Sequence, residues 1–347
     1  MRKLASIQCI WKIEPIEGAD RIELAHVLGW QCVVNKGQFR PMDLAVYFEV
    51  DSFLPVAPEF EFLRASSYKK TDVMGEGFRL RTLKFRGQIS QGLLLPITAF
   101  PALPEDVEIG TDVSEALGVR KWEIEERIST GGTMIGTLPP SIPKTDETRV
   151  QAEPGLIEAF AGLEYYISTK MDGSSHSVSL DPDGFHVTGH NYEYKDDGNS
   201  PFYELVKALG LRDKMEAFAK AEAIVSLTIQ GELCAPGIQK NRLRLKKPAW
   251  YVFTVYEDGR RTGLKRMQDV CNALNLESVP IEEVGTDLPV KYPTVDALLS
   301  RADGEYPNGG RKEGIVIRPT TPVYCPLIGG PLSMKVVSNK YLLKNEE

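Results

Sequence analysis

The sequence has no long hydrophobic run. No stretch approaches the ~18 consecutive apolar residues that favour a membrane-spanning helix. The start, Met1–Ala5, leads into no apolar region with a cleavage site, so we expect no signal peptide. We therefore predict a cytoplasmic protein without a membrane partner.

Cysteine is scarce, and its spacing excludes common metal sites. The chain has five cysteines, an odd number, and no two of them stand in C-x-x-C spacing. Scattered cysteines of this kind indicate a reducing compartment and no zinc site. They stand at Cys9, Cys32, Cys234, Cys271 and Cys325.

Basic residues do not outnumber acidic ones. The chain has 41 Lys and Arg against 48 Asp and Glu, a net charge of −7, which argues against a protein that coats nucleic acid non-specifically. Local basic tracks lie at 64–86 and at 240–247, where five of eight residues are cations. Most such runs are solvated faces, and contact with phosphate is the alternative for each.

The composition is that of a soluble protein of two or three domains, with 42% apolar and 26% charged residues in 347. Short apolar runs separated by Gly, Asn, Asp and Pro fill residues 1–100 and predict an all-β region. Such strands suit a small closed barrel, and the OB-fold is a common nucleic-acid-binding barrel. We assign 1–128 to this domain, with a polar and partly helical end over 101–128. The runs are Leu24–Leu28, Cys32–Val34, Leu44–Phe48 and Gly92–Pro96.

The rest of the chain mixes helices and strands. Residues 129–144 are typical of a linker, and 145–347 predict an α+β domain with antiparallel sheets. Ser200 as N-cap and Pro201 at the first helical position predict a helix to about residue 221. We predict further helices over 263–276 and from 294, and strands over 164–170, 175–180, 184–190, 223–231, 250–256, 314–318 and 333–337.

Lys170 is the first candidate for chemistry. It ends an apolar run and begins a K-x-D-G pattern that includes Asp172 and Gly173. A lysine amine can act as a covalent nucleophile if its neighbours keep it deprotonated. Four residues with one free position recur by chance, so this pattern alone is weak evidence.

Later segments contain the partners that such a lysine needs. A carboxylate follows one apolar strand at Glu232 and another precedes a strand at Glu313. Lys335 lies in the last predicted strand, and aromatic residues alternate along Tyr251–Tyr256. Taken singly, strand-end charges are usually exposed and alternating aromatics usually belong to a core. Their order and number favour a common site.

The segments KMDGSS, GELCAPGIQKN, EGIVIRP and MKVVSNKYL together resemble the covalent nucleotidyltransferase superfamily of polynucleotide ligases and RNA capping enzymes. They are most similar to ATP-dependent RNA ligases. The β-rich domain precedes the lysine, whereas DNA ligases and capping enzymes usually carry their OB domain after it. This order resembles the RNA ligases with an N-terminal OB-fold, called type 5, and the likeness covers nearly the whole chain.

The resemblance implies an enzyme that joins RNA ends. Lys170 would attack the α-phosphate of ATP and leave lysyl-AMP, AMP would pass to an RNA 5′-phosphate, and a 3′-hydroxyl would then displace AMP. Because a lysine has an ordinary pKa of about 10.4, nearby cations and desolvation must lower that pKa. Asp172, Glu232 and Glu313 would hold Mg²⁺ or Mn²⁺, directly or through water.

The same resemblance implies the contacts of ATP. Phe253 would stack on adenine, with Tyr251 or Tyr256 as alternatives, and Lys335 with Lys340 would neutralise charge on the α-phosphate. The predicted nucleotide site consists of Lys170, Asp172, Gly173, Asn191, Glu232, Phe253, Glu313 and Lys335.

Two positions leave alternatives open. Many relatives have a second lysine where this chain has Val337, so whether Lys340 compensates is undecided. Arg149 is either a phosphate contact or a solvated arginine of the linker.

The expected partner is a pair of RNA ends, with a nicked duplex favoured and no obligate protein partner. Lys84 and Arg86 would hold the strand with the 3′-hydroxyl, and 2′-hydroxyl contacts would distinguish RNA from DNA. RNA repair is the expected role. The alternatives are a GTP-dependent capping guanylyltransferase, a DNA ligase, and an RNA-binding protein with an inactive transferase domain. The last conflicts with the presence of the lysine, the aspartate and both glutamates.

Overall fold

Residues 2–104, 106–123 and 132–345 are described by the structure, a computed structural model. The chain forms two units, and no helix in the described ranges is long and apolar enough to cross a membrane. The domain limits predicted from the sequence remain predictions. The first unit comprises Met1–Glu126, Gln151–Pro154 and Leu342–Glu347, and the second comprises Arg127–Val150 and Gly155–Tyr341.

Short antiparallel strands build the first unit, and several of them bury consecutive side chains on both faces. They are β1 (Ala5–Pro15), β2 (Ile22–Val27), β3 (Trp30–Asn35), β4 (Leu44–Phe48), β5 (Ser52–Leu54), β6 (Tyr68–Thr71), β7 (Gly75–Arg79), β8 (Thr82–Phe85), β9 (Gln88–Gln91), β10 (Leu93–Pro96) and β11 (Arg120–Lys121), with the short helix α1 (Arg64–Ser67). The sheets run β10-β4-β1-β2-β3 and β11-β5-β7-β6, and β8 pairs with β9. This is the all-β region that the apolar runs predict.

The second unit contains two larger antiparallel sheets. Its strands are β12 (Met134–Thr137), β13 (Glu164–Lys170), β14 (Ser174–Asp181), β15 (Gly184–Thr188), β16 (Tyr192–Tyr194), β17 (Leu227–Cys234), β18 (Ala249–Glu257), β19 (Arg260–Arg261), β20 (Glu277–Ser278), β21 (Ile281–Thr286), β22 (Gly314–Pro319), β23 (Tyr324–Cys325), β24 (Gly330–Pro331) and β25 (Met334–Val337). One sheet runs β12-β16-β15-β14-β17-β18-β19, with β20 parallel to β18. The other runs β21-β13-β22-β25.

Helices cover these sheets with their apolar sides. They are α2 (Pro201–Leu209), α3 (Leu211–Glu222), α4 (Leu264–Leu274), α5 (Leu288–Lys291), α6 (Val295–Ala302) and α7 (Asn339–Asn345). One core joins α2, α3 and α4 to the larger sheet through residues such as Phe202, Met215 and Ile229. A second core packs Leu298 of α6 with Ile315 of β22. Two separately packed cores therefore support the two sheets.

Three sequence predictions need correction. The helix predicted from Ser200 to about residue 221 is two helices, because Gly210 adopts a left-handed conformation (φ +59°) that ends α2. Met134–Thr137, inside the predicted linker 129–144, forms β12 because its backbone pairs with β16. The polar segment 101–128 contains turns rather than helix over 101–104 and 106–123, and its residues 124–128 lie outside the described ranges.

Candidate active site

Lys170 is the last residue of β13, at the end of the ladder between β13 and β22. Its backbone pairs with Gly314, and its ammonium Nζ lies 2.8 Å from Oε2 of Glu313. A side chain at position 314 would bring a Cβ to 2.0 Å from the carbonyl oxygen of Val336. Glycine is therefore required for β25 to pack beside the strand that follows Glu313.

Charge determines the protonation of this cluster. Burial lowers the pKa of Lys170, but Glu313 and Glu232 raise it by more, so this pKa lies above its ordinary value. Burial raises the pKa of Glu232 to about 7, and the negative charges of Glu313 and Asp172 add to that rise. The site therefore holds the Lys170 ammonium among three acidic side chains, of which Asp172 also pairs with Arg242.

The predicted metal ligands are close but engaged with protein groups. Asp172 is buried, and its Oδ1 accepts a hydrogen bond from the Tyr341 hydroxyl at 2.8 Å while its Oδ2 pairs with Arg242 at 2.7 Å. Glu232 accepts a hydrogen bond from the N–H of Gly173 at 3.2 Å. In the ranges that the structure describes, no three acidic, histidine or cysteine side chains converge to hold a metal ion directly.

The donor set nevertheless fits a hard divalent cation. Carboxylate oxygens are the ligands that Mg²⁺ and Mn²⁺ prefer, and Mg²⁺ keeps several of its waters. The raised pKa of Glu232 results first from burial, and its acidic neighbours Glu313 and Asp172 add to the rise. Of the two predicted modes of metal binding, the geometry favours contact through water over direct binding by all three carboxylates.

Lys335 lies on the same face of the sheet as Lys170. It pairs with Val316, which pairs with Ser168, and residues two apart on a strand share a face. Arg149 is not a linker residue, because its segment pairs with β25 beside Lys335. The N–H of Lys335 bonds to the carbonyl of Thr148 at 2.8 Å. Two cations that the sequence proposes for phosphate contact are thus neighbours.

The last predicted strand supplies only one lysine on this face. Val337 pairs with Gly314 and is buried. Lys340 lies in α7, where its Nζ pairs with Asp303 at 2.7 Å and its side chain is 63% exposed. The structure therefore gives Lys340 a surface partner, and its predicted catalytic role remains a prediction.

A cavity of about 230 Å³ opens beside Phe253 and Gln230. Gln230 stands two residues before Glu232 on β17, whereas Lys170, Glu232 and Glu313 do not line the cavity. Tyr256 also lines it, whereas Tyr251 packs with Met171 and Cys234. Of the three aromatic candidates for stacking, two therefore face the cavity. Its lining includes Lys144, Thr145, Asp146, Glu147, Thr148, Arg261, Arg318, Ile328 and Ser333.

Asn191 lies in the turn between β15 and β16, at the rim of this region. Its carbonyl accepts the N–H of Leu138 at 3.0 Å. The preceding His190 reaches Asp146, with Nε2 3.5 Å from a carboxylate oxygen. Asp146 lines the cavity, so His190 contacts a residue of the cavity lining, and Asn191 is the next residue in the chain.

The basic candidates of the first unit form a surface hairpin. Lys84 is the next-to-last residue of β8. Arg86 and Gly87 form the turn to β9, with φ of +45° and +87°. Both cations are exposed, as is the side chain of Phe85 at 42%. An exposed basic tip of this kind can contact phosphate.

Several residues of the site carry no recognisable signal in the sequence. Arg242 belongs to the basic segment 240–247, yet its side chain is only 13% exposed and points to Asp172. Tyr306, Glu147 and Arg318 were not singled out, because their partners lie far away along the chain. The number of cations in 240–247 is the only sequence signal that points to Arg242.

Comparisons with known proteins agree with this architecture. A family model described as an OB-fold domain matches residues 4–97, and a model described as RNA ligase matches residues 163–337. A comparison with curated protein sequences gives no match. The predicted N-terminal OB-fold and the following α+β domain with antiparallel sheets are confirmed.

Solved structures of an RNA ligase from Naegleria gruberi are similar over the full length. A mutant with ATP and Mn has a TM-score of 0.89 at 32% identity, with 100% of each chain covered. The form with PPi has a TM-score of 0.87 at 33% identity, covering 100% of this chain and 99% of that one. A mutant with AMP and Mn has a TM-score of 0.87 at 32% identity, with 99% of each chain covered.

The fold, the site and these matches define an enzyme of the ligase class. The chain belongs to the RNA ligase family.

Proposed function

We propose that this enzyme is an ATP-dependent RNA ligase that joins a 3′-hydroxyl to a 5′-phosphate, preferably at nicks in duplexes, through lysyl-AMP and RNA-adenylate intermediates. The observation that carries the proposal is the position of Lys170, whose Nζ is 2.8 Å from Glu313 within a cluster of three carboxylates. The relative from Naegleria gruberi has been solved with ATP, with AMP and with PPi, which are the reactant and products of adenylyl transfer.

In the first step the Nζ of Lys170 attacks the α-phosphorus of ATP. The P–N bond forms as the bond to the β-phosphate oxygen breaks, and pyrophosphate leaves with that electron pair. Lys170 must lose its proton first. To lower its pKa by ~3 units, to near neutrality, the site must favour the neutral amine over the ammonium by about 4 kcal/mol. Glu313 is the nearest group to the ammonium and can hold the leaving proton.

A divalent cation, Mg²⁺ or Mn²⁺, supplies positive charge that lowers the pKa of the lysine when it is bound. Glu232 and Glu313 would hold it, through water at least in part, with Asp172 behind them. Neutralising these carboxylates removes the attraction that keeps the proton on Lys170. A cation bound there would compensate the carboxylates that surround Lys170.

The chain's own residues orient the nucleotide. Phe253 stacks on adenine in the cavity, Glu232 lies towards the ribose, and Lys335 with Arg149 meets the phosphates. Preorganised cations are effective at this point because negative charge develops on the transferring phosphate in a partly dry site. Asn191 and Gly173 complete the contacts at the rim.

The later steps transfer AMP and then release it. An oxygen of the RNA 5′-phosphate attacks the α-phosphorus and the P–N bond to Lys170 breaks. The 3′-oxygen then attacks the 5′-phosphorus, AMP leaves, and a phosphodiester remains. Lys84 and Arg86 of the OB-fold domain hold the strand that carries the 3′-hydroxyl, and contacts with the 2′-hydroxyl select RNA.

The proposal includes a cytoplasmic role in RNA repair. Its support is the state of the cysteines: all five are free thiols, and four of them are buried. Free buried thiols persist in a reducing compartment.

Two assays test the function. Incubation with α-³²P ATP and Mn²⁺ should label the wild type and Lys265→Ala, a control at an 89% exposed lysine, but not Lys170→Ala. The wild type should then seal nicked duplexes that present an RNA 3′-hydroxyl. Labelling by GTP in place of ATP would indicate a capping enzyme, and sealing restricted to DNA 3′-hydroxyl nicks would indicate a DNA ligase.

A further inference from the structure

The pair formed by Lys170 and Glu313 lies at the end of the hydrogen-bonded ladder between β13 and β22. The ladder between β13 and β22 has its last rung at Lys170 and Gly314, so Glu313 is one residue beyond it. On its other side the carbonyl of Glu313 accepts the N–H of Ser338 at 2.9 Å. No rung of the ladder itself fixes Glu313 against the strand that carries the lysine.

Tyr306 supplies the missing rung. Its hydroxyl donates to the carbonyl oxygen of Lys170 at 2.8 Å and accepts the N–H of Glu313 at 3.2 Å. A tyrosine hydroxyl has one proton to donate and lone pairs to accept, so both roles are satisfied together. The residue is only 3% exposed. Its own backbone is held by Gly310, whose carbonyl accepts the N–H of Tyr306 at 2.7 Å.

A second tie lies on the opposite face of the sheet, at Glu282. Its Oε1 accepts the hydroxyl of Thr169 at 2.7 Å, and both of its oxygens contact Nζ of Lys312 at 2.8 and 2.9 Å. Thr169 immediately precedes Lys170, and Lys312 immediately precedes Glu313. Arg301 donates to the remaining side of the carboxylate at 2.7 Å.

Burial makes this second tie rigid. The side chain of Lys312 is 7% exposed and that of Glu282 is 17% exposed. Buried charges of this kind hold a fixed geometry, because separating them would leave an uncompensated charge away from water. The neighbours of the two reacting residues are thus joined through Glu282, while the reacting residues themselves are joined through Tyr306.

We infer that Tyr306 and Glu282 are positioning residues that set the distance between the nucleophile Lys170 and the carboxylate Glu313. This inference rests on the proposed function, because it assigns the pair to lysine adenylylation. Neither residue touches the reacting atoms. A misplacement of about 1 Å at a reacting centre can cost on the order of 10²-fold in rate, so ties of this kind matter.

The test separates positioning from folding. Tyr306→Phe removes only the bridging hydroxyl, and Tyr324→Phe, at a 69% exposed tyrosine, is its control. We expect the rate of labelling at saturating ATP to fall about tenfold or more in Tyr306→Phe. The ATP concentration for half-maximal rate should stay near the wild-type value, because the hydroxyl does not face the cavity that binds the nucleotide.

A second readout uses RNA that already carries a 5′-adenylate. Sealing of this substrate does not use Lys170 as a nucleophile, so Tyr306→Phe should seal it within about twofold of the wild type, judged against a tenfold loss in labelling. Glu282→Gln, which keeps the shape of the side chain, should lose less labelling than Glu282→Ala. Melting temperatures of all variants are recorded alongside.

The outcomes are distinct. A labelling rate of Tyr306→Phe equal to that of the wild type, or equal losses in labelling and in sealing of adenylated RNA, would overturn the inference. Equal losses in Glu282→Gln and Glu282→Ala would remove Glu282 from it. A wild-type protein that accepts no label from ATP would instead overturn the proposed function on which the inference depends.

Discussion

Two buried ion pairs lie along the same strand pair, and their surroundings differ. Lys170 and Glu313 meet at one end of the ladder, and Arg318 and Glu147 meet near the other, with Arg318 paired to Tyr166 on β13. The two places are four residues apart on β13, about 13 Å at ~3.3 Å per residue. The same strand pair therefore carries two ion pairs of similar chemistry in different surroundings.

Glu147 faces two arginines, Arg318 and Arg261, and Arg318 makes hydrogen bonds to several groups. Arg318 donates to Glu147 at 2.5 Å, to the carbonyl of Phe253 at 2.5 Å and to the hydroxyl of Thr254 at 3.1 Å. Burial raises the pKa of Glu147, but Arg318 and Arg261 lower it by more, so the carboxylate stays charged. Such a pair fixes structure.

The Lys170 cluster contains more acidic groups. Its ammonium faces Glu313, Glu232 and Asp172, Asp172 also pairs with Arg242, and the pKa of Glu232 is raised to about 7 by burial and by its acidic neighbours. The comparison teaches that a shielded ion pair is not in itself a sign of chemistry. A carboxyl group whose pKa is raised towards neutrality beside a lysine is the feature that indicates a reactive site.

The largest expected effect on stability comes from breaking the ion pair between Arg318 and Glu147. Arg318→Met leaves Glu147 buried without its main partner, so we expect the free energy of unfolding to fall by about 3–5 kcal/mol. Lys170→Met should cost clearly less, because the Lys170 side chain is 24% exposed whereas that of Arg318 is 6% exposed. Urea unfolding of both variants at one pH measures the difference. Equal losses would erase the distinction between the two pairs.

A smaller effect concerns the pH dependence of stability in a metal chelator. Between its ordinary pKa of 4.5 and about 7, Glu232 keeps a proton in the folded protein that the unfolded chain has lost. Stability from this group is therefore full below pH 4.5 and is lost as pH rises through about 7, with a magnitude of about 3 kcal/mol.

Glu232→Gln isolates that contribution. The free energy of unfolding of the wild type should decline relative to that of Glu232→Gln between pH 4.5 and 8. Addition of Mn²⁺ at pH 8 should restore much of the loss in the wild type, about 1.4 kcal/mol at ten times the dissociation constant. Parallel pH profiles of the two proteins would contradict a raised pKa of Glu232 in the folded protein.

The smallest expected effect is that of Lys340→Ala. Its ion pair with Asp303 is 63% exposed on the lysine side, so the free energy of unfolding should change by less than about 1 kcal/mol. Because that pair holds Lys340 at the surface, labelling by ATP should stay within about threefold of the wild type. A loss of labelling comparable to that of Lys335→Ala would show instead that Lys340 compensates for Val337.

The sequence predicts the parts of this site that depend on local pattern. The strand ending at Lys170 and the strands beside Glu232 and Glu313 follow from short apolar runs, and the structure places these residues in one cluster. Contacts across long separations have no such signal. The partners of Asp172 lie at Arg242 and Tyr341, and nothing in the spacing of those residues indicates a shared contact.

The fold shows the same limit. Periodicity predicts helix on both sides of Gly210, but the left-handed conformation that separates α2 from α3 depends on how each helix packs. The strand Met134–Thr137 has exposed residues throughout, so no burial pattern distinguishes it from a linker. Its backbone pairing with β16 is the only feature that makes it a strand.

The most direct test of the central claim is to locate the covalent AMP. The wild-type protein is incubated with α-³²P ATP and Mn²⁺, digested under conditions that preserve the P–N bond, and its labelled peptides are identified by mass spectrometry. The account predicts a single adenylated residue, Lys170. AMP on any other lysine, with Lys170 unmodified, would contradict it.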